Sequence, residues 1–189
     1  DWDTDAYLKA EAEGYEGVAL RDLLREWLAG WQPGARGWLI QGPTGTGKTH
    51  LAHATMQHLV LTHAVSAVWW STRELGREIE AALKTKQPLH LILQPLIDAD
   101  VLVFDELREV KSWWWDQVVD ALESRLDAYP AKTTIVTTNL KAGADGSLAA
   151  VLGDRLASRL RAACTPLTIR GADHRATQLQ RPYNLQRIA

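Results

Sequence analysis

Gly42-Pro43-Thr44-Gly45-Thr46-Gly47-Lys48-Thr49 stands between the apolar run Gly37-Trp38-Leu39-Ile40 and the segment His50-Leu51-Ala52. The octet satisfies G-x-x-x-x-G-K-[ST], which average residue usage produces by accident in roughly one chain of this length in a hundred. Its setting sharpens the reading, because an apolar strand precedes it and a helix follows. Backbone N–H groups of such a loop converge on phosphate oxygens at the positive end of the helix dipole. Glycines at 42, 45 and 47 remove side chains that would block the approach. Pro43, Thr44, Thr46 and His50 complete the cradle, Lys48 reaches the β- and γ-phosphates, and the Thr49 hydroxyl ligates Mg²⁺. The alternative is a merely structural glycine turn.

Outward from the loop, the periodicity alternates between strand and helix. Residues 18–31 place Leu20, Leu23, Leu24, Trp27 and Leu28 at helical spacing, and Pro33-Gly34 ends that helix. Beyond the loop the pattern predicts helix over residues 48–61 and strand over 65–70. A helix capped by Ser71, with Glu74 at the capping-box position, then runs to about residue 84. Pro88 breaks it, and residues 89–97 read as a short helix. Strands follow at 101–104, 133–138 and 165–169, separated by helices at 113–129 and 148–162. Such alternation predicts an α/β fold whose parallel sheet is covered on both faces by right-handed crossovers.

Composition bounds the rest. At 189 residues and 46% apolar the chain holds one sizeable core, and a formal net charge of -2 draws it onto neither nucleic acid nor anionic membrane, so any DNA contact must be a local patch. The single Cys164 excludes an internal disulfide and a multi-cysteine zinc site, fits a reducing cytoplasmic setting, and reads as a small buried strand residue. No apolar stretch approaches the ~20 residues that span a bilayer, and no signal peptide opens the chain. The chain begins at Asp1 rather than Met, which reads as a trimmed piece lacking its natural N-terminal part.

Further motifs carry chemistry. Val101-Leu102-Val103-Phe104 ends abruptly in Asp105-Glu106. Adjacent carboxylates at the end of a buried strand repel each other, so a bound cation or a nucleophilic water explains them better than a solvated strand end. Asp105 would bind Mg²⁺ through water, and Glu106 would polarise the attacking water. The strand over 133–138 ends in Asn139, whose amide can hold both a γ-phosphate and a lytic water, although Asn also ends strands for the sake of the turn. Arg155 and Arg159 lie one turn apart on one helix face and need something anionic opposite them. A phosphate from a neighbouring subunit would serve, as would an acid of the same chain.

With these residues in view, the chain resembles AAA+ ATPases, in particular the bacterial helicase loaders of the DnaC and DnaI type and the IstB-type transposition ATPases. The phrase GWLIQGPTGTGKTHLAHA, residues 37–54, carries the likeness, which extends over about residues 18–175. That resemblance implies a three-layer P-loop fold with a five-stranded parallel sheet of order 5-1-4-3-2 and no separate helical lid, with an N-terminal polar segment at 1–17 and a tail at 176–189. It implies ATP bound between subunits of a homo-oligomer. It assigns Lys48 and Thr49 to phosphate and magnesium, Asp105 and Glu106 to metal and water, Asn139 to the first sensor, Arg159 with its companion Arg155 to the arginine finger, and Arg175 of the G-x-x-x-R ending to a second sensor. Single-stranded DNA and a replicative helicase are the implied partners; for the IstB type, duplex DNA and a transposase.

Arg73, Arg77, Lys84 and Lys86 fall in the double helical stretch between the second and third strands and are candidate contacts to nucleic-acid phosphates, or a plain solvated face. Most of the nine tryptophans read as core, but Trp113, Trp114 and Trp115 cannot all face inward from one helix. His50 and His53 lack a third ligand for zinc. A P-loop kinase remains the alternative from another class, disfavoured because Glu106 directly after Asp105 suits water better than an acceptor hydroxyl.

Overall fold

Side chains of successive strand residues point to opposite faces, and here both faces are apolar, so each strand needs a covering layer on either side. A computed structural model describes residues 11–13, 20–108, 110–128, 132–140 and 148–170. Its elements are β1 (Glu11–Glu13), α1 (Leu20–Ala29), β2 (Gly37–Gln41), α2 (Lys48–His63), β3 (Ala67–Ser71), α3 (Thr72–Lys84), α4 (His90–Asp98), β4 (Val101–Asp105), α5 (Trp115–Asp127), β5 (Thr133–Thr138), α6 (Leu148–Leu152), α7 (Asp154–Ala163) and β6 (Cys164–Arg170). The sheet order is β1-β6-β2-β5-β4-β3. From β6 to β3 every pairing is parallel, which is the expected order 5-1-4-3-2 counted from Gly37 onward.

One strand was not anticipated. Within the stretch read as polar and irregular, β1 pairs antiparallel with β6, Ala12 standing opposite Ile169. Three residues carry no periodicity, so only the neighbouring edge reveals such a strand. Arg175, the tail at 176–189 and the question of a lid lie outside the described residues.

Burial follows the alternation. Leu39, Leu102, Phe104 and Val136 join one cluster with side chains of α3 to α7, such as Ile79, Leu96, Val118 and Leu156. Trp38, Ile40, Val103 and Ile135 join another with Leu20, Leu24, Leu51 and Ala52 of α1 and α2. Ser71 caps α3 as predicted: its Oγ accepts the Glu74 N–H at 3.2 Å and donates to Glu74 Oε2 at 2.7 Å. The helix expected over 148–162 is instead broken at Gly153, whose φ of 85° and ψ of 152° lie outside helical space. The tryptophan triplet divides as expected, Trp114 and Trp115 being buried while Trp113 is 61% exposed.

Arg125 of α5 is 1% exposed. Its guanidinium donates to Leu96 O at 2.9 Å, Ala99 O at 2.7 Å and Thr133 O at 2.7 Å, tying the carboxyl end of α4 to the start of β5. Lys132 Nζ adds a bond to Ile97 O at 2.6 Å. Cations suit a helix carboxyl terminus because its last carbonyls are unpaired and negative. Together they anchor the double-helical excursion between β3 and β4 to the middle of the sheet.

Candidate nucleotide-binding site

Parallel strands deliver their carboxyl ends to one edge of the sheet, and the loops that leave there form the crevice in which α/β proteins bind ligands. Register puts Gln41 of β2 beside Thr138 of β5, and Phe104 of β4 beside Val136. The glycine loop, the acid pair and Asn139 therefore emerge side by side. Beside them lies a cleft of about 500 Å³ with Thr44, Gly45, Gly47, Lys48, Thr49, His50, Glu106 and Asn139 in its wall.

The glycine loop is shaped by close approach. A Cβ on Gly42, at φ 151°, would lie 2.3 Å from the carbonyl oxygen of Ile169. Gly47 caps α2 without a side-chain acceptor, so no capping side chain stands at the positive end of the helix. Thr46 Oγ1 closes the loop on Pro43 O at 2.9 Å. Lys48 Nζ donates to Gly42 O at 2.9 Å and Pro43 O at 2.6 Å, and this residue is 8% exposed. The ammonium is thus held at the loop by its own carbonyls.

Where the glycine loop enters α2, Thr49 and Asp105 meet: the hydroxyl donates to Oδ1 at 3.0 Å and Oδ2 at 3.2 Å. Asp105 is 6% exposed. A hydroxyl and a carboxylate side by side are hard oxygen donors, the set that Mg²⁺ prefers, and such sites take their remaining ligands from phosphates and water. Among the described residues no cluster of three or more His, Cys, Asp and Glu is placed to hold a metal. His50 and His53 both line the cleft.

Glu106 leaves β4 with φ 55°, a left-handed conformation for a residue that carries a Cβ. Asn139 follows β5 directly and is bracketed by bonds that fix its peptide neighbours: Leu140 N–H donates to Thr138 Oγ1 at 3.1 Å, and Gln41 Nε2 donates to Leu140 O at 3.1 Å. Two further wall residues, Thr137 and Thr138, were not singled out by the sequence, and His53 was weighed there only as a zinc ligand. His53 stands one helical turn beyond Thr49, and Thr137 lies two positions before Asn139 in the strand. Their spacing to known positions was the available signal.

The two arginines lie on α7 and meet acids of α5. Arg159 Nε and Nη2 grip Asp127 at 2.7 and 3.1 Å, while Arg155 Nε reaches Glu123 Oε2 at 2.8 Å. The Arg159 guanidinium, through its hydrogen bond, holds the Asp127 carboxyl below its ordinary range. Neither arginine is part of the cleft wall of its own chain. Arg73, Arg77, Lys84 and Lys86 are all exposed, with Glu74 and Glu78 interleaved on α3.

The sequence matches the family described as IstB-like ATP binding protein over residues 30–181. No curated protein is significantly similar to it in sequence. Among solved structures the fold is similar to the DnaC helicase loader, at a TM-score of 0.67 and 24% identity over 80% of this chain and 90% of that one. DnaI is similar at a TM-score of 0.61 and 25% identity, over 79% and 82% of the respective chains. AMPPCP-bound DnaA from Aquifex aeolicus is similar at a TM-score of 0.58 and 18% identity, over 78% of this chain and 44% of that one. The likeness to these structures speaks for a P-loop fold of the AAA+ type.

Proposed function

Because the chain belongs to the IstB-like ATP binding protein family, we propose that it is an ATPase that works as an assembled motor on DNA, in the manner of a replicative helicase loader. The single observation that carries the ATPase reading is the 3.0 Å bond that joins Thr49, at the end of the glycine loop, to Asp105 of the acid pair, beside a cleft lined by Gly45, Gly47, Lys48, Thr49, Glu106 and Asn139. Phosphate donors of the loop and the metal donors Thr49 and Asp105 then stand side by side.

Each side chain has a role that follows from its place. Backbone N–H groups from Gly45 to Thr49 and the Lys48 ammonium bind the β- and γ-phosphates. Thr49 and Asp105 would hold Mg²⁺, which when bound offsets charge on the β- and γ-oxygens. Glu106 orients and deprotonates the attacking water. Asn139 donates to the γ-phosphate and steadies the water without adding charge. Arg159, with Arg155 beside it, would serve the cleft of the next subunit, because it lies away from its own.

Exposed Arg73, Arg77, Lys84 and Lys86 would follow the backbone of single-stranded DNA in the assembly. The family match favours a second reading, an IstB-type regulator of transposition that marks duplex DNA. The test is direct. ATP should yield ADP and phosphate without any added acceptor, and Glu106→Gln should retain nucleotide but lose most turnover. Equal rates for wild type and Glu106→Gln would remove the catalytic role, and phosphate transferred only to an added acceptor would mean a kinase. Affinities for single-stranded and duplex DNA, measured with a nonhydrolysable ATP analogue, separate the loader from the transposition regulator.

A further inference from the structure

The turn that carries Glu106 has an unusual construction. A left-handed backbone at a residue with a Cβ is unfavourable and persists where surrounding bonds over-determine it. Here they come chiefly from one residue of the neighbouring strand. Thr137 Oγ1 accepts the Glu106 N–H at 3.0 Å and donates its own proton to Asp105 Oδ1 at 2.5 Å. The Thr137 carbonyl accepts the next amide, Leu107 N–H, at 2.8 Å. Three consecutive residues of the acid turn are thereby fastened to Thr137. The Glu106 carbonyl is taken from the other side by Thr72 Oγ1 at 2.8 Å.

We propose that Thr137 is a positioning residue of the hydrolytic centre, whose single hydroxyl couples the Asp105 carboxylate to the Glu106 peptide and so sets where Glu106 stands relative to the phosphates. The inference rests on reading the cleft as an ATPase site. Geometry supports more than a strand threonine satisfying itself. Thr137 is 1% exposed, and its hydroxyl is taken up on one side by the Asp105 carboxylate and on the other by the Glu106 peptide N–H. A hydroxyl is also the right group, since it accepts and donates at once, whereas a methyl of equal size does neither. Thr138, the next residue, turns its hydroxyl to Leu107 O at 2.7 Å instead and touches neither acid.

The test compares Thr137→Val and Thr137→Ser with wild type in three measurements: steady-state ATP hydrolysis, calorimetric affinity for a nonhydrolysable ATP analogue, and hydrogen exchange at the Glu106 amide. Thr137→Val should lower kcat ~10–100-fold, as loss of a residue that orients ligands commonly does. Its nucleotide affinity and KM should stay within about threefold of wild type. Its Glu106 amide should exchange about tenfold faster in the absence of nucleotide, a readout independent of turnover. Thr137→Ser should restore both kcat and slow exchange. An unchanged kcat in Thr137→Val, a loss confined to nucleotide affinity, or a serine variant as slow as the valine variant would each overturn the proposal. If Thr137→Val does not fold, Thr137→Ser alone decides, because impaired turnover or fast Glu106 exchange with the hydroxyl retained contradicts the coupling. A wild type that releases no phosphate while binding nucleotide would overturn the ATPase reading itself, and is told apart because no variant is needed to see it.

Discussion

Arg159 and Asp127 form a two-point ion pair between α7 and α5, Nε to Oδ1 at 2.7 Å and Nη2 to Oδ2 at 3.1 Å. The pair is exposed, so salt and water screen it and its weight in folding is small. Its interest lies in what the guanidinium does when another subunit presents a phosphate.

We predict that Arg159→Ala binds nucleotide like wild type yet loses on the order of 10³ in assembly-dependent turnover, the lower range for an arginine finger. Asp127→Ala breaks the same ion pair but keeps the guanidinium, so it should retain turnover. Equal losses in the two variants would mean that the pair is merely structural. Mixing Arg159→Ala with Glu106→Gln should restore part of the activity, because some interfaces then combine an intact Glu106 with an intact Arg159. Absence of any rescue would point to a site complete within one chain.

Lys48→Ala should abolish nucleotide binding without unfolding the chain. The ammonium makes charge-assisted bonds worth about 1.5–3 kcal/mol each to phosphate, so affinity should fall at least about 100-fold by calorimetry. Circular dichroism should remain that of wild type, because Lys48 contacts loop carbonyls at Gly42 and Pro43 rather than the core. Retained affinity would remove the glycine loop from the binding reaction.

Much of this architecture could be read from residues alone, for identifiable reasons. Apolar runs such as Val101 to Phe104 are buried on both sides and announce a central strand. The phosphate loop and the acid pair announce themselves because their chemistry permits few other residues. What escaped was contextual. β1 exists only against β6. The break at Gly153 interrupts an otherwise helical pattern, and a lone glycine does not declare whether it bends a helix or merely weakens it. Thr137 looked like one threonine of a β-prone strand until its neighbours were Asp105 and Glu106. The acids that Arg155 and Arg159 meet, Glu123 and Asp127, each lie more than thirty positions earlier, a separation no local pattern spans.

Cys164 should be inert in the native protein. Burial pushes its thiol up to about 12, and Sγ donates to Thr134 O at 3.3 Å. A thiol raised above its ordinary value supplies stability that is complete below pH 9 and is lost as pH rises toward 12, because the unfolded chain ionises first. At pH 8 a disulfide-exchange reagent should therefore label Cys164 only as fast as the chain opens, and added denaturant should release labelling along with the loss of circular dichroism. Rapid labelling of folded protein would contradict the burial.

Arg125 offers the sharpest test of what holds the site-bearing sheet to its helices. Its charge is buried, and desolvation lowers its pKa to about 10, which still leaves it a cation at neutral pH. Arg125→Met keeps much of the volume but strands the carbonyls of Leu96, Ala99 and Thr133, whose donors sit at 2.7 to 2.9 Å in the native chain. Unsatisfied buried acceptors cost about 1–3 kcal/mol each, with water recovering part of that, so a net loss of about 3–5 kcal/mol follows. For a chain of this size that lowers Tm by roughly 10 °C or more. Arg125→Lys should rescue little, because one ammonium cannot reproduce a planar fork that reaches α4 and β5 together. Calorimetric unfolding decides the matter: a Tm within about 2 °C of wild type in Arg125→Met would mean that these carbonyls find other donors, and that α4 is held by its apolar contacts alone.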